Sequence, residues 1–422
     1  MSVLPSPVLD ALNFEKSNRI KPSVIEDSFY QCPSDSSQAS PGTLLKVEKD
    51  VDTKPYLIPA GTALSRIVYQ SEKLNGQPVP VSGFILWPYA ARSHPEGYQT
   101  VAWAHGTSGP GANHAPSNYK NLWQHFLGPY QLALQGYVVV ATDYAGLGVQ
   151  IDASGAPIMH EYLASPSQGS DVIHSINAAR TAFPELSKQF VVIGHSQGGG
   201  AAWAVAQKAA AGHIPGYLGA IAISPYTNFL IEESAFSPRI GAAICRVVAS
   251  VLPDFDPGEI LTPEGEQRVA AMFQTDAGVA AAMALVYGVD LVKPDWKQNP
   301  HMQQFADLTG NGGKPIQGPL LVIHGEADMM NSLAAVEVAV EKTARLFPSA
   351  QLESVWLPDV RHAPALGASQ RLWMDWIADR FAGREVPAGH RISRLESARP
   401  SIVYHKDQNW YLEPASQFYQ TV

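Results

Sequence analysis

The stretch QFVVIGHSQGGGAAWAVAQKAAA, residues 189–211, passes from an apolar run through a serine set among glycines into alanine-rich sequence. Its centre, Gly194-His195-Ser196-Gln197-Gly198, fits the pattern Gly-x-Ser-x-Gly. A chain of this length and composition produces that pattern by accident about 0.2 times, so the letters alone decide little. The change of period around them decides more. "FVVI" suits a strand buried on both faces, and "GGGAAWAVAQKAAA" is strongly helix-forming. A serine at such a strand-to-helix turn sits on strained backbone with its hydroxyl exposed, and small neighbours must clear its path. Gly194, Gly198 and Gly199 supply them. The backbone N–H of Gln197, at the helix N-terminus, is free to receive a developing oxyanion.

Similar apolar runs recur along the chain: "TVAWAHG", "YVVVATDY", "GAIAIS", "PLLVIHG" and "LESVWLPD". Helical patterns such as "SQGSDVIHSINAARTAF" separate them. This alternation predicts an α/β fold with a mostly parallel central sheet flanked by helices. "LSRIVYQS" and "VPVSGFILWP", joined through Asn75-Gly76, predict an antiparallel hairpin that opens it. Residues 1–55, rich in Pro and Ser, read as an N-terminal arm, and 56–224 as the first part of the core. Residues 225–318 are too long for a crossover and mostly helical in pattern, which predicts a cap, or lid, inserted at the ligand-binding edge of the sheet. Residues 319–384 complete the core, and 385–422 form a tail whose aromatic segment from Val403 is expected to cover the surface.

A serine hydroxyl attacks only when a base takes its proton and a third group holds that base. Asp328, just past the strand "LLVIHG", is the expected acid, with Glu326 and Asp359 as competitors. His362, in the loop after the strand "LESVWL", is the expected base. In "VAWAHGTSG" the backbone N–H of Thr107 is the expected second oxyanion donor beside that of Gln197. His105 and His195 are read as braces rather than bases.

Composition removes other classes. Apolar residues make up 45% and charged residues 16%, as in an ordinary globular protein, and a formal net charge of −9 disfavours nucleic acid and anionic membranes as partners. Cys32 and Cys245 read as free thiols. The longest apolar stretch without a charge near the cap, "AGVAAAMALVYGV" from Ala277, falls short of the roughly 20 residues a bilayer span needs. No stretch has metal-ligand spacing or a phosphate-binding glycine loop, so neither metal nor cofactor is expected. The N-terminal segment lacks the basic and apolar regions of a leader, so the cytoplasm is the expected location, or the exterior if a leader has been removed.

Several stretches, in order, resemble the α/β-hydrolase superfamily and within it the secretory lipase family. They are "HGTSG", "APS" at 115–117, "VVATDYAGLG", "YLASPSQGSDVIHSINAAR", "GHSQGG", "ISPYTNF", "HGEAD" and "WIADRFAG", spread over roughly residues 60–384. The resemblance implies an esterase or lipase fold with a helical lid and the triad Ser196, Asp328 and His362. It also implies that Asp143, Tyr144 and Gly146 shape the loop near the oxyanion hole. His114 stands where relatives often carry a cysteine. The expected activity is ester hydrolysis on a small-molecule ester or thioester through an acyl-enzyme. The alternatives are acyl transfer or thioester hydrolysis by the same triad in small-molecule biosynthesis, and a ligand-binding protein without catalysis.

Overall fold

The hairpin is the longest pairing in the sheet: β2 (Thr62–Glu72) runs antiparallel to β3 (Pro78–Pro88), in register from Thr62 opposite Pro88 to Glu72 opposite Pro78. Its loop closes with the Gly76 N–H donating to the Lys73 carbonyl at 2.9 Å, and Gly76 takes a φ of 79°. In the computed structural model, which describes residues 4–34 and 36–404, the other strands are β1 (Leu44–Glu48), β4 (Ser93–His94), β5 (Gly97–Ala104), β6 (Val138–Thr142), β7 (Leu186–His195), β8 (Tyr217–Ile223), β9 (Leu320–Gly325), β10 (Gln351–Leu357) and β11 (Gly389–Arg394). They form one sheet in the order β1-β2-β3-β6-β5-β7-β8-β9-β10-β11, with β4 paired to β5. From β6 to β11 all neighbours are parallel; β1, β2 and β3 add the antiparallel edge.

The nearly continuous apolar runs work because both faces of the sheet are covered. Ala102, Val140, Val192, Ala222 and Val322 share one hydrophobic cluster with α3 (Ser165–Ala182), α4 (Gln197–Ala211) and α9 (Leu333–Leu346). Their strand neighbours Val101, Val139, Val191, Ile221 and Leu321 belong to another, with α2 (Pro129–Leu134), α10 (Pro364–Ala368) and α11 (Gln370–Phe381). Successive residues thus face opposite layers, as the pleat requires.

Between β8 and β9 the chain forms α5 (Ser237–Val251), α6 (Pro263–Gln274), α7 (Val279–Val286) and α8 (Pro300–Thr309), which share a third cluster of their own. The N-terminal segment, read as an arm, carries a helix. Its helix α1 (Ser6–Ser17) packs Val8, Ala11 and Leu12 into that third cluster. The Glu15 carboxylate accepts hydrogen bonds from the backbone N–H groups of Gly278, Ala280 and Ala281 at 2.8, 2.9 and 3.1 Å, satisfying the start of α7. Asp276 beside it accepts from Arg19 at 2.7 Å and from the Asn113 amide at 2.9 Å, and faces His114 at 3.2 Å. His114, fully buried, thus stands at the junction of α1, α7 and the loop after β5.

The segment read as a tail also contributes a strand. β11 pairs parallel to β10, with Gln351 opposite Gly389 and Trp356 opposite Arg394. The aromatic segment expected to cover the surface falls almost wholly on residues 405–422, outside the described residues. Among the described residues no helix is long and apolar enough to cross a membrane. Cys245 is a buried free thiol, and the Cys32 Sγ lies 3.0 Å from the Ser36 hydroxyl.

Candidate active site

Ser196 sits between the last residue of β7 and the first of α4, with φ 58° and ψ −118°. Holding a non-glycine residue there costs about 1–3 kcal/mol, so the surroundings must over-determine it. They do: its N–H donates to the Ile223 carbonyl at 2.9 Å, and its own carbonyl accepts from Gly200 and Tyr226, each at 3.1 Å. The glycines have specific reasons. A Cβ at Gly198 would run into the Ala104 carbonyl, and one at Gly194 into the Gly198 carbonyl.

Asp328 lies three residues past β9 and His362 five residues past β10, on adjacent parallel strands. The His362 Nδ1–H donates to the Asp328 carboxylate at 2.7 Å. The other carboxylate oxygen accepts from the N–H groups of Met330 at 2.9 Å and Asn331 at 3.1 Å. Burial alone would raise the Asp328 carboxyl; the charge and hydrogen bond of His362, with His324 nearby, outweigh it and hold the group well below the usual carboxylate range. The competing acids point elsewhere. Glu326 is paired with Arg394 at 2.5 Å, and exposed Asp359 accepts a hydrogen bond from the Ser401 hydroxyl.

Thr107 lies three residues beyond β5, and its hydroxyl meets that of Tyr162 at 3.1 Å. Among the described residues, neither the Thr107 nor the Gln197 backbone N–H has a protein acceptor, so both remain available as donors. The loop carrying Thr107 is braced from below. Tyr144 donates its hydroxyl to the His105 carbonyl at 3.0 Å and stacks on the His105 ring at 4.3 Å. Buried Asp143 accepts from the Ser117 N–H at 2.9 Å, the Ser117 hydroxyl at 2.5 Å and the Ser82 hydroxyl at 2.6 Å, pinning the "APS" segment to β3. A Cβ at Gly146 would strike the backbone of Met159 and His160. Burial pushes the His105 imidazole down to about 4, so it is neutral near pH 7.

Ser196 and Thr107 line a cavity of about 160 Å³. The rest is mostly apolar: Leu163, Ile240, Val247, Met272, Val279, Met283 and Val286 come largely from α5, α6 and α7, while Arg239, Tyr162, Tyr226 and Asn331 add polar atoms and Arg239 is the charged side chain of the lining. His160 is a lining residue that the sequence did not single out. Its Nδ1–H donates to the Ala145 carbonyl at 2.9 Å and its Nε2 accepts from the Gln197 side-chain amide at 3.1 Å. That pattern fixes a neutral tautomer, and burial pushes its pKa down to about 4. No signal in "APIMHEYLAS" marks it, because its partners lie in separate elements. Among the described residues no group of three or more His, Cys, Asp or Glu side chains is placed to hold a metal ion.

No curated protein matches this sequence significantly. Among solved structures, the chain superposes on lipase A from Candida antarctica in its closed state with a TM-score of 0.70 at 15% identity, covering 89% of this chain and 91% of that one. It also superposes on the rice cell wall degrading esterase LipA from Xanthomonas oryzae with a TM-score of 0.60 at 19% identity, covering 82% and 98%. Identities this low establish a shared fold. The sequence pattern of the family described as serine aminopeptidase, S33, matches residues 121–366, a span that runs from the loop after β5 past His362 and takes in Ser196 and Asp328. Sheet order, strand-to-helix serine turn and that match agree, and the chain belongs to this family of α/β hydrolases.

Proposed function

We propose that the protein is a serine carboxylic-ester hydrolase that works through an acyl-enzyme, with Ser196 as nucleophile, His362 as base and Asp328 as the group that orients His362. The Ser196 hydroxyl attacks the ester carbonyl while its proton passes to His362 Nε2. The carbonyl oxygen, now negative, is held by the N–H groups of Thr107 and Gln197, each such donor contributing about 3 kcal/mol to transition-state stabilisation. The protonated His362 then gives its proton to the leaving alcohol. Water, deprotonated by the same imidazole, attacks the acyl-enzyme and releases the acid. Helices α5 to α8 serve in this reading as the cap over the acyl pocket.

The observation that carries the ester reading is the lining of the cavity beside Ser196. It holds many aliphatic and methionine side chains and no Asp or Glu. An aminopeptidase substrate brings a cationic α-amino group, which in an apolar pocket needs an anionic partner. A neutral acyl chain needs none. The names of the superposed lipase and esterase point the same way.

The test pairs p-nitrophenyl esters of increasing chain length with aminoacyl p-nitroanilides and a fluorophosphonate label. Ester turnover, labelling at Ser196 and loss of both in Ser196→Ala are expected. Cleavage of anilides in preference to esters, or labelling at another serine, overturns the reading. Adding an alcohol acceptor reports acyl transfer directly, as new ester in place of free acid.

A further inference from the structure

The three segments that meet at Ser196 come from distant parts of the sequence, and one side chain outside the triad joins them. Leu122, Trp123 and Gln124 are three consecutive non-glycine residues with left-handed backbone, at φ 55°, 47° and 42°. Such residues visit this region singly and rarely, and a run of three requires enforcement by the surroundings. The turn is held by the Leu122 N–H on the Tyr119 carbonyl at 3.1 Å and the Trp123 indole N–H on the Gly106 carbonyl at 3.1 Å. Its result is to thrust the Gln124 amide between the loop after β5 and the end of β7.

There the amide makes two bonds that leave no freedom of assignment. The Gly106 N–H can only donate, so it meets Oε1, at 2.7 Å. The Gln124 Nε2 then donates to His195 Nδ1 at 3.1 Å, which leaves the proton of His195 on Nε2. That Nε2–H donates to the backbone carbonyl of His362 at 3.2 Å. Burial pushes the His195 imidazole down to about 3, consistent with a neutral ring in this chain of bonds. Space is as tight as polarity: a Cβ at Gly106 would overlap the Gln124 amide. The chain Gly106–Gln124–His195–His362 therefore runs from the residue before Thr107, through the neighbour of Ser196, to the backbone of His362.

We propose that Gln124 is a positioning residue of the active site: through His195 it fixes the oxyanion loop and the His362 loop relative to Ser196. This rests on the ester-hydrolase reading. It acts on two features used only as the tetrahedral intermediate forms, the direction of the Thr107 N–H and the place of the His362 ring. Substrate binding in the cap pocket does not depend on either.

The test measures kcat and KM for a p-nitrophenyl ester in the wild type, Gln124→Met, His195→Phe and the double variant, with thermal melts of each. Gln124→Met is expected to lose about 10- to 100-fold in kcat with KM within about twofold. The double variant is expected to fall no lower than the worse single one, because both break one chain. Gln124→Glu keeps an acceptor for Gly106. Ionised, it turns an acceptor on His195 Nδ1, and His195 takes a second proton to keep its bond to the His362 carbonyl. Protonated, it donates to Nδ1 as the amide did, so the substitution adds a titrating carboxyl–His195 pair beside His362. The titratable groups around that ring are His362, Asp328 and His324, and His362 lies 4.7 Å away centre to centre. The acid limb of its kcat/KM profile is therefore expected to move by about half a pH unit or more from the wild type. A kcat for Gln124→Met within about threefold of wild type, additive losses in the double variant, or an unmoved acid limb in Gln124→Glu overturns the proposal. If Gln124→Met does not fold, the acid limb of Gln124→Glu decides alone. Fluorophosphonate labelling of the wild type separates the two readings: no label on Ser196 removes the hydrolase reading, whereas normal label with unaffected Gln124 variants removes only this one.

Discussion

The Glu15 carboxylate accepts the Gly278 N–H at 2.8 Å across 263 residues of sequence, and so joins the N-terminal helix to the first turn of α7. Gly278, Val279, Ala282, Met283 and Val286 of that region line the cavity beside Ser196. The wall of the pocket is thus anchored by a helix that precedes the whole sheet. α1 belongs with α5 to α8 in packing, since all lie in one hydrophobic cluster.

Glu15→Ala removes the acceptor for three buried N–H groups at a helix start. Losing a cap of this kind costs about 1–2 kcal/mol, and buried orphan donors add to it. A lower melting temperature is expected, together with a larger loss of kcat/KM on octanoate or longer p-nitrophenyl esters than on acetate, because the far wall of the pocket loosens. Glu15→Gln keeps an acceptor oxygen and should fall between. Equal losses on short and long esters would mean that α7 does not contact the acyl chain.

The acid of the proposed triad is open to a direct contest among three carboxylates. Asp328→Asn leaves the shape of the loop but changes what His362 Nδ1 meets, and an analogous change in serine proteases lowers kcat about 10⁴-fold. A fall of about 10³- to 10⁴-fold is expected here. Glu326→Gln and Asp359→Asn disturb exposed contacts with Arg394 and Ser401, and should keep kcat within about threefold. Steady-state kinetics on one ester at pH 7.5 compares all three. A loss in Asp359→Asn as large as in Asp328→Asn would reverse the assignment.

What the sequence revealed about this site depended on how local each signal was. Ser196, Asp328 and His362 each follow an apolar strand by a few residues, so the strand pattern located them without knowledge of their partners. Gln124 could not be found that way. It bonds residues 18 and 71 positions away, and "NLWQ" contains no glycine to announce a left-handed turn. His160 was equally silent, because its role depends on Gln197, 37 residues on. β11 escaped notice because it is an edge strand with Arg391 to Arg394 exposed, which erases the alternation that marks a half-buried strand. α1 was obscured by its surroundings of Pro and Ser, although Val8, Ala11, Leu12 and Glu15 do share one face. Neighbours along the chain betray strand and helix; contacts made across the fold leave little trace in composition.

Four buried histidines give the stability a definite pH dependence. Burial pushes His105, His160 and His324 down to about 4 and His195 to about 3. In the unfolded chain each titrates near 6.5, so between these values the unfolded state holds more protons. Stability from these groups is complete above about pH 6.5 and is lost as pH falls toward the folded values. Asp171, raised to about 7 by burial, and Asp143, also raised by burial, run the other way: folding retains their protons, so their contribution is lost as pH rises. Burial raises Glu161 and Glu337 as well, but it also lowers His174 and His390, so six histidines stand against four acids and the unfolding free energy is expected to fall from pH 7 to 5. His105→Gln removes one of these histidines and should flatten the slope by about one proton, or about 1.4 kcal/mol per pH unit. Urea unfolding of both proteins at half-unit intervals over that range provides the comparison. Parallel curves would mean that His105 is protonated alike in the folded and unfolded chain, and that the stacked, neutral ring on Tyr144 is not what holds the loop that carries Thr107.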